Sequence, residues 1–413
     1  MKKALIILVV LLFVVMALAK TTTIEVWTLS LSPWFDDYMK DVNTGFEEAH
    51  PGVKVDWVDV PYNAGLQKLQ ASIAARKAPD VVNMNTKWAV DLVSLDALAP
   101  LDDYVTEVEK YRYWPQLLEG NTVEDKLYSI PWYSAPQILI YNKDIFKAAG
   151  LDPKDPPETW EEMLEVSRII KEKTGKYGFE PTISGYEDLM LEGVQLISED
   201  GEKAAFNTET AVEKLKWYQT LYEEDLIPRS LGGYEAGRED YSAGKIAMYP
   251  VGMSMLKHVQ ENSPSIYEVT EVAPLPLGKA EKLKSAMMNF VVPVNAEHQE
   301  LAAEYILWIT SSFWQVEFDK QASIVPSTKI GLDTDPYFIE KAEEDLQAKA
   351  QIMASKSMKY VIDIGFIPGL SQEKFAEFRR ILDDYWLEAI KGEYTAEEAL
   401  EKAEEETNEI LAD

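Results

Sequence analysis

Three histidines, His50, His258 and His298, are all the imidazole this chain offers, and no two stand at zinc-site spacing. The absence of cysteine removes thiolate metal sites, thiol nucleophiles and disulfides as well. Gly252-Met253-Ser254-Met255-Leu256 comes nearest to a nucleophile elbow, but it lacks the second glycine and reads as a turn entering a helix. No phosphate-cradling or dinucleotide-type glycine loop is present, so neither a cofactor nor a metal is expected. Carboxylate chemistry remains open, since a glycosidase needs only two acids facing across a cleft. With 71 acidic residues, any chosen pair carries little information.

Binding is the better use of these residues. Sugars present flat C–H faces rimmed by hydroxyls, a surface matched by aromatic rings beside fixed polar groups. Of the eleven tryptophans, Trp34, Trp160, Trp217, Trp308, Trp314 and Trp386 fall in helical patterns, and Trp27 and Trp57 lie in or beside strands; packing is expected of all eight. Trp88, Trp114 and Trp132 stand near polar, proline-containing or strand-terminal segments, where α/β proteins place ligand loops. Asn85, Thr86, Lys87 and Trp88 together offer an amide, a hydroxyl, an ammonium and a ring, to a ligand or to the start of a helix. Trp132 sits in Ile130-Pro131-Trp132-Tyr133-Ser134, too broken for a regular strand, either at a closing cleft or in packing. Trp114, beside Tyr113 and Pro115, reads as surface packing.

The elements that must carry these residues alternate in period. Ile24, Val26 and Trp27 make a short strand; Phe35, Tyr38, Met39, Val42 and Phe46 recur at helical spacing until Pro51-Gly52. Val53, Val55 and Trp57 alternate with polar residues, then Leu66, Leu69 and Ile73 mark a helix before the strand at 80–82. A second group follows Trp132, with a strand at 137–141, a helix opened by the capping box Thr159 and Glu162, and another over about 208–225. Phe375, Phe378, Leu382, Tyr385 and Trp386 share a stripe, and Thr395 and Glu398 form a second capping box. Such repeats predict an α/β fold of mainly parallel sheets flanked by helices.

Lys2 and Lys3 precede an apolar run from Ala4 to Ala17-Leu18-Ala19, which reads as an export signal cleaved after Ala19; the run is shorter than the roughly 20 residues that span a bilayer. A length of 413 residues suggests two or three folding units. The net charge of −31 argues against nucleic-acid partners, and its acidic runs read as solvated helix faces. High Glu and Lys content also suits a heat-adapted host.

Several segments, in this order and spacing, make nearly the whole chain resemble the carbohydrate-type extracellular solute-binding proteins of bacterial ABC importers, the maltose-binding-protein-like group. They include Phe46 to Val55, Ala78-Pro79-Asp80-Val81-Val82, Leu127 to Trp132, Leu139 to Asp144, Pro157 to Trp160 and Val272 to Pro276. The resemblance implies a two-lobed clamp, with an N-terminal lobe of 20–133 plus 285–325 and a C-terminal lobe of 134–284 plus 326–413. It also implies a monomer that needs no cofactor, captures a mono- or oligosaccharide by closure and delivers it to membrane permease subunits. The positions it assigns to ligand binding are Ser30, Asn85, Thr86, Lys87, Trp88, Trp132, Tyr133, Thr182, Ser184, Tyr186, Gly252, Met253, Asn289 and Phe366. A clamp for a polyamine, peptide or phosphate ester stays open as an alternative, as does an extracellular glycosidase.

Overall fold

A computed structural model of the chain describes residues 21–362 and 372–412, with 367 and 370. The expected signal segment and Phe366 lie outside these residues. The chain divides into two α/β units. Unit 1 takes residues up to Arg112, then Asn121–Trp132 and Met288–Gln321; unit 2 takes Tyr113–Gly120, Tyr133–Met287 and the chain from Ala322.

In unit 1, β1 (Thr22–Leu29) buries Ile24 and Val26 completely. Helix α1 (Asp36–Ala49) buries Tyr38, Met39, Val42 and Phe46, one stripe at helical spacing, while Asp36 and Asp37 face the positive end of its dipole. The helix begins only at Asp36. Trp34, expected within the packing stripe, therefore stands in the preceding turn and is 81% exposed. Strand β2 (Val53–Val60) pairs in parallel with β1 along its whole length, from Thr22 opposite Val53 to Leu29 opposite Val60. After α2 (Tyr62–Ala74), β3 (Val81–Asn85) pairs in parallel with the other side of β1, and α3 (Thr86–Val93) follows at once.

The chain then runs through β4 (Ser129–Asn142), α4 (Trp160–Thr174), β5 (Tyr177–Phe179), α5 (Gly185–Leu191), α6 (Glu209–Glu223), β6 (Ile246–Gly252), β7 (Thr270–Ala273) and β8 (Leu283–Val291). The stretch around Trp132 is a regular part of β4, against the expectation of a broken segment. This strand pairs piecewise, Tyr133 and Ser134 with Pro326 and Val325, Gln137 to Tyr141 with β6, and Leu139 to Asn142 with β7. A proline then removes a ladder donor without ending the extended backbone. Unit 2 is accordingly mixed, parallel at β5 and β6 and antiparallel along β4. The C-terminal half of β8 returns to unit 1 and pairs antiparallel with β3, Met288 opposite Asn85 and Val291 opposite Val82.

Both capping boxes form. Thr159 Oγ1 accepts from the Glu162 amide at 3.1 Å and the Glu162 carboxylate accepts from the Thr159 amide at 3.2 Å, while Gly175 ends α4 in the left-handed region at φ 71°. Helices α7 (Gln299–Ile309) and α8 (Ser312–Asp319) complete unit 1; α9 (Gln372–Ile390) and α10 (Ala396–Ala412) complete unit 2. Thr395 and Glu398 cap α10 with bonds of 3.2 and 2.9 Å. Phe378, Leu382 and Trp386 are buried in one cluster with Phe146, Phe179 and Phe206, each such side chain contributing about 1.5–3 kcal/mol.

Trp132 belongs to the core of unit 1. Its ring stacks on Phe318 of α8, with centroids 4.7 Å apart and planes at 10°, and lies 4.7 Å from Phe290 of β8; its exposure is 0%. The sugar-platform reading of Trp132 is thereby corrected, because segments more than 150 residues downstream close over the ring. Trp132→Ala is expected to cost about 3–5 kcal/mol in urea unfolding of the unliganded protein. A loss below about 1 kcal/mol would contradict this packing.

Candidate functional site

Parallel pairing puts the carboxyl ends of β1, β2 and β3 on one edge of unit 1, where loops and helix starts gather in α/β proteins. Leu29, Val60 and Asn85 end these strands. Beyond them stand Ser30, Tyr62 and Trp88. Ser30 occupies the left-handed region at φ 54°; its amide donates to the Val60 carbonyl at 3.0 Å and its Oγ accepts from the Tyr62 amide at 2.9 Å. The Asp59 carboxylate holds the same loop, accepting from Thr28 Oγ1 at 2.8 Å, the Leu31 amide at 3.0 Å and the Ser32 amide at 3.1 Å.

Asn85 caps α3, its Oδ1 accepting from the Trp88 amide at 2.9 Å and its Nδ2 donating to the Tyr62 hydroxyl at 2.7 Å. The Tyr62 and Trp88 rings lie 4.9 Å apart at 33°. Tyr62 is 39% exposed and Trp88 half-buried, so the pair offers an accessible aromatic surface with an amide and a hydroxyl beside it. Lys87 is exposed and pairs with Asp91 at 3.1 Å, a surface contact of small energetic weight.

Most of the other predicted positions serve the scaffold. Thr86 and Asn289 are buried and bonded to each other at 2.8 Å, and Asn83 donates to the Asn289 carbonyl at 3.1 Å, a polar seam joining β3 to β8. Tyr186 is buried edge-on against Phe375 at 5.6 Å, with the Arg379 guanidinium over its ring; Met253 is fully buried. Helical packing closes over both side chains, so neither is a contact surface. Ser184 sits half-buried at the start of α5, where the Asp383 carboxylate accepts from its hydroxyl at 3.3 Å and from the Gly185 amide at 2.7 Å. Tyr133 and Gly252 are half-buried ladder positions of β4 and β6, and Thr182 is exposed.

Sequence reasoning missed Tyr62. It follows β2 closely, as Trp88 follows β3, and strand ends aligned by parallel register are the signal that would have found it. A concavity in unit 2 is lined by one predicted position, Thr182, but the rest of it was missed, because Trp160 was assigned to packing by its helical spacing. There the Lys214 ammonium pairs with Glu192 at 2.9 Å and sits over Trp160 at 4.8 Å and Trp217 at 5.1 Å. Burial works to raise the Glu192 carboxyl, but Lys214 and the Lys279 amide, 2.8 Å away, outweigh it and hold the group below the usual range. Asp188 accepts from the Tyr218 hydroxyl at 3.1 Å, and burial pushes its carboxyl up to about 7. Among the described residues no group of three or more acids or histidines could hold a metal ion.

The sequence profile of the bacterial extracellular solute-binding proteins matches residues 30–316. A binding protein of Brucella abortus is 26% identical over 319 residues, covering 74% of this chain and 76% of its own. The diacetylchitobiose-binding protein DasA of Streptomyces coelicolor is 25% identical over 325 residues, covering 74% and 73%. In structure, an oligosaccharide periplasmic-binding protein of Synechococcus sp. MITs9220 superposes with a TM-score of 0.81 at 28% identity, over 94% of this chain and 99% of that one.

Glu180, just after β5, supplies a test of burial in unit 2. It is fully buried, accepts from the Gly233 amide at 3.2 Å, and burial pushes its carboxyl up to about 7. An unfolded glutamate titrates near 4, so between about pH 4 and 7 the folded chain binds the extra proton and stability falls as pH rises. Glu180→Gln should reduce the stability lost between pH 5 and pH 8 by on the order of 1–2 kcal/mol in urea titrations. A drop as steep as wild type would show that the side chain is solvated.

Proposed function

Because the chain belongs to the bacterial extracellular solute-binding protein family, we propose that it is the receptor subunit of an ABC sugar importer. It captures a mono- or oligosaccharide outside the cytoplasmic membrane and delivers it to permease subunits. The observation that carries this reading is the Tyr62 and Trp88 surface with Asn85 and Ser30 beside it, since rings take the C–H face of a sugar and fixed polar groups take its hydroxyls. The saccharide names of the Streptomyces and Synechococcus proteins support it. These groups are held by hydrogen bonds before any ligand arrives, which lowers the ordering cost of binding.

Capture becomes a signal when a solute favours one arrangement of the two units over others, and the shift in population is set by that difference in affinity alone. The permease then reads the favoured arrangement, and ATP is spent by another subunit. The protein acts as a monomer, without catalysis and without a cofactor. No helix among the described residues is long and apolar enough to cross a membrane.

Tyr62→Ala removes half the aromatic surface while leaving the buried core of unit 1 in place. Calorimetry against the sugar that gives the largest thermal shift should show affinity reduced at least ten-fold, about 1.4 kcal/mol, with the unliganded melting temperature changed by only a few degrees. Unaltered affinity would take this edge out of the binding site.

A further inference from the structure

The aromatic edge of unit 1 leaves the unit 2 concavity without a role. It holds about 670 Å³ of empty space counting its open mouth, with little room in its interior. Pro181, Pro250 and Leu275 give it apolar walls. Nearly every charge that lines it is already answered: Lys214 by Glu192, and Lys284 by a direct bond to Glu187. The remaining acid, Asp188, is bonded to the Tyr218 hydroxyl.

Lys282 is different. It lies two residues from Lys284, lines the concavity with it, is half-buried, and has no hydrogen-bond or ion-pair partner among the described residues. The Thr182 hydroxyl and the Gln137 amide line the same space, and neither side chain has a partner among the described residues. A half-buried cation against apolar walls favours a counter-charge, and two neutral polar groups beside it suit hydroxyls. A phosphate ester would be better met by arginine forks, and no arginine lines this space among the described residues.

We infer that the unit 2 concavity recognises an acidic monosaccharide unit, a hexuronate, with Lys282 meeting its carboxylate and Thr182 and Gln137 its hydroxyls. The inference rests on the saccharide reading and narrows it from any sugar to an acidic one. In a chain of net charge −31 the general field repels anions, so a local unanswered lysine is what gives such a ligand a place to bind.

Calorimetry on the purified protein would compare galacturonate, glucuronate and their dimers with the matching neutral sugars, in wild type, Lys282→Gln and Lys282→Arg. The acid should bind roughly ten-fold or more tightly than its neutral parent. Lys282→Gln should bring that ratio near one without changing neutral-sugar affinity, and Lys282→Arg should keep the preference. A wild-type ratio of one or less, or a preference that survives Lys282→Gln, overturns the inference while bound neutral sugars leave the saccharide reading intact. Propionate binding where no sugar binds overturns both.

Discussion

Asp59 fixes the loop on which the unit 1 site stands. Its carboxylate sits at the end of β2 and accepts from a hydroxyl and two amides of the chain that leaves β1. Bonds to an ionised acceptor are roughly twice as strong as neutral ones, so the turn is held even though Ser30 occupies a left-handed conformation that a serine seldom adopts. From Ser30 the order spreads: its hydroxyl takes the first amide of α2, the hydroxyl of Tyr62 takes the Asn85 amide, and Asn85 caps the helix carrying Trp88. Three loops from three strands become one surface because each polar group is both held and holding. Such a surface meets a ligand with little left to order.

Unit 2 solves a different problem. Its wall brings carboxylates and ammonium groups into partly dry surroundings, where an isolated charge is expensive and a paired one is tolerable. Lys214 and Glu192, 10% and 8% exposed, answer each other, and the aromatic faces of Trp160 and Trp217 shelter the ammonium. The Glu192 carboxylate also takes the Lys279 amide, tying the segment before β8 to the end of α5. Gly278 permits that approach, since a side chain there would meet the Leu191 carbonyl at 2.6 Å. Charge pairing and close backbone approach together leave Lys282 as the wall's unanswered cation among the described residues.

Much of the fold was legible in the residues. The stripe of α1, both capping boxes and the succession of strands and helices follow from spacing alone, because a period of two or 3.6 records which face is buried. Local signals misled where they met long-range packing. The prolines near Trp132 argued against a strand, yet β4 tolerates them by pairing with several short partners in turn. Trp34 looked like part of a helix and is an exposed turn residue, because the helix starts where the buried stripe starts.

For the site, the sequence by itself determined which chemistry was possible: no thiol, no histidine pair, a large acidic excess, and tryptophans near strand ends beside amides and hydroxyls. Parallel register decided that Ser30, Tyr62, Asn85 and Trp88 meet, since aligning strand ends is a property of the sheet and not of any one segment. Packing decided that Trp132, Tyr186 and Met253 lie in cores, because the residues covering them come from distant parts of the chain. Which lysine keeps an unspent charge was likewise a tertiary matter, as ion pairs form across space at a few ångströms and leave no trace in residue spacing.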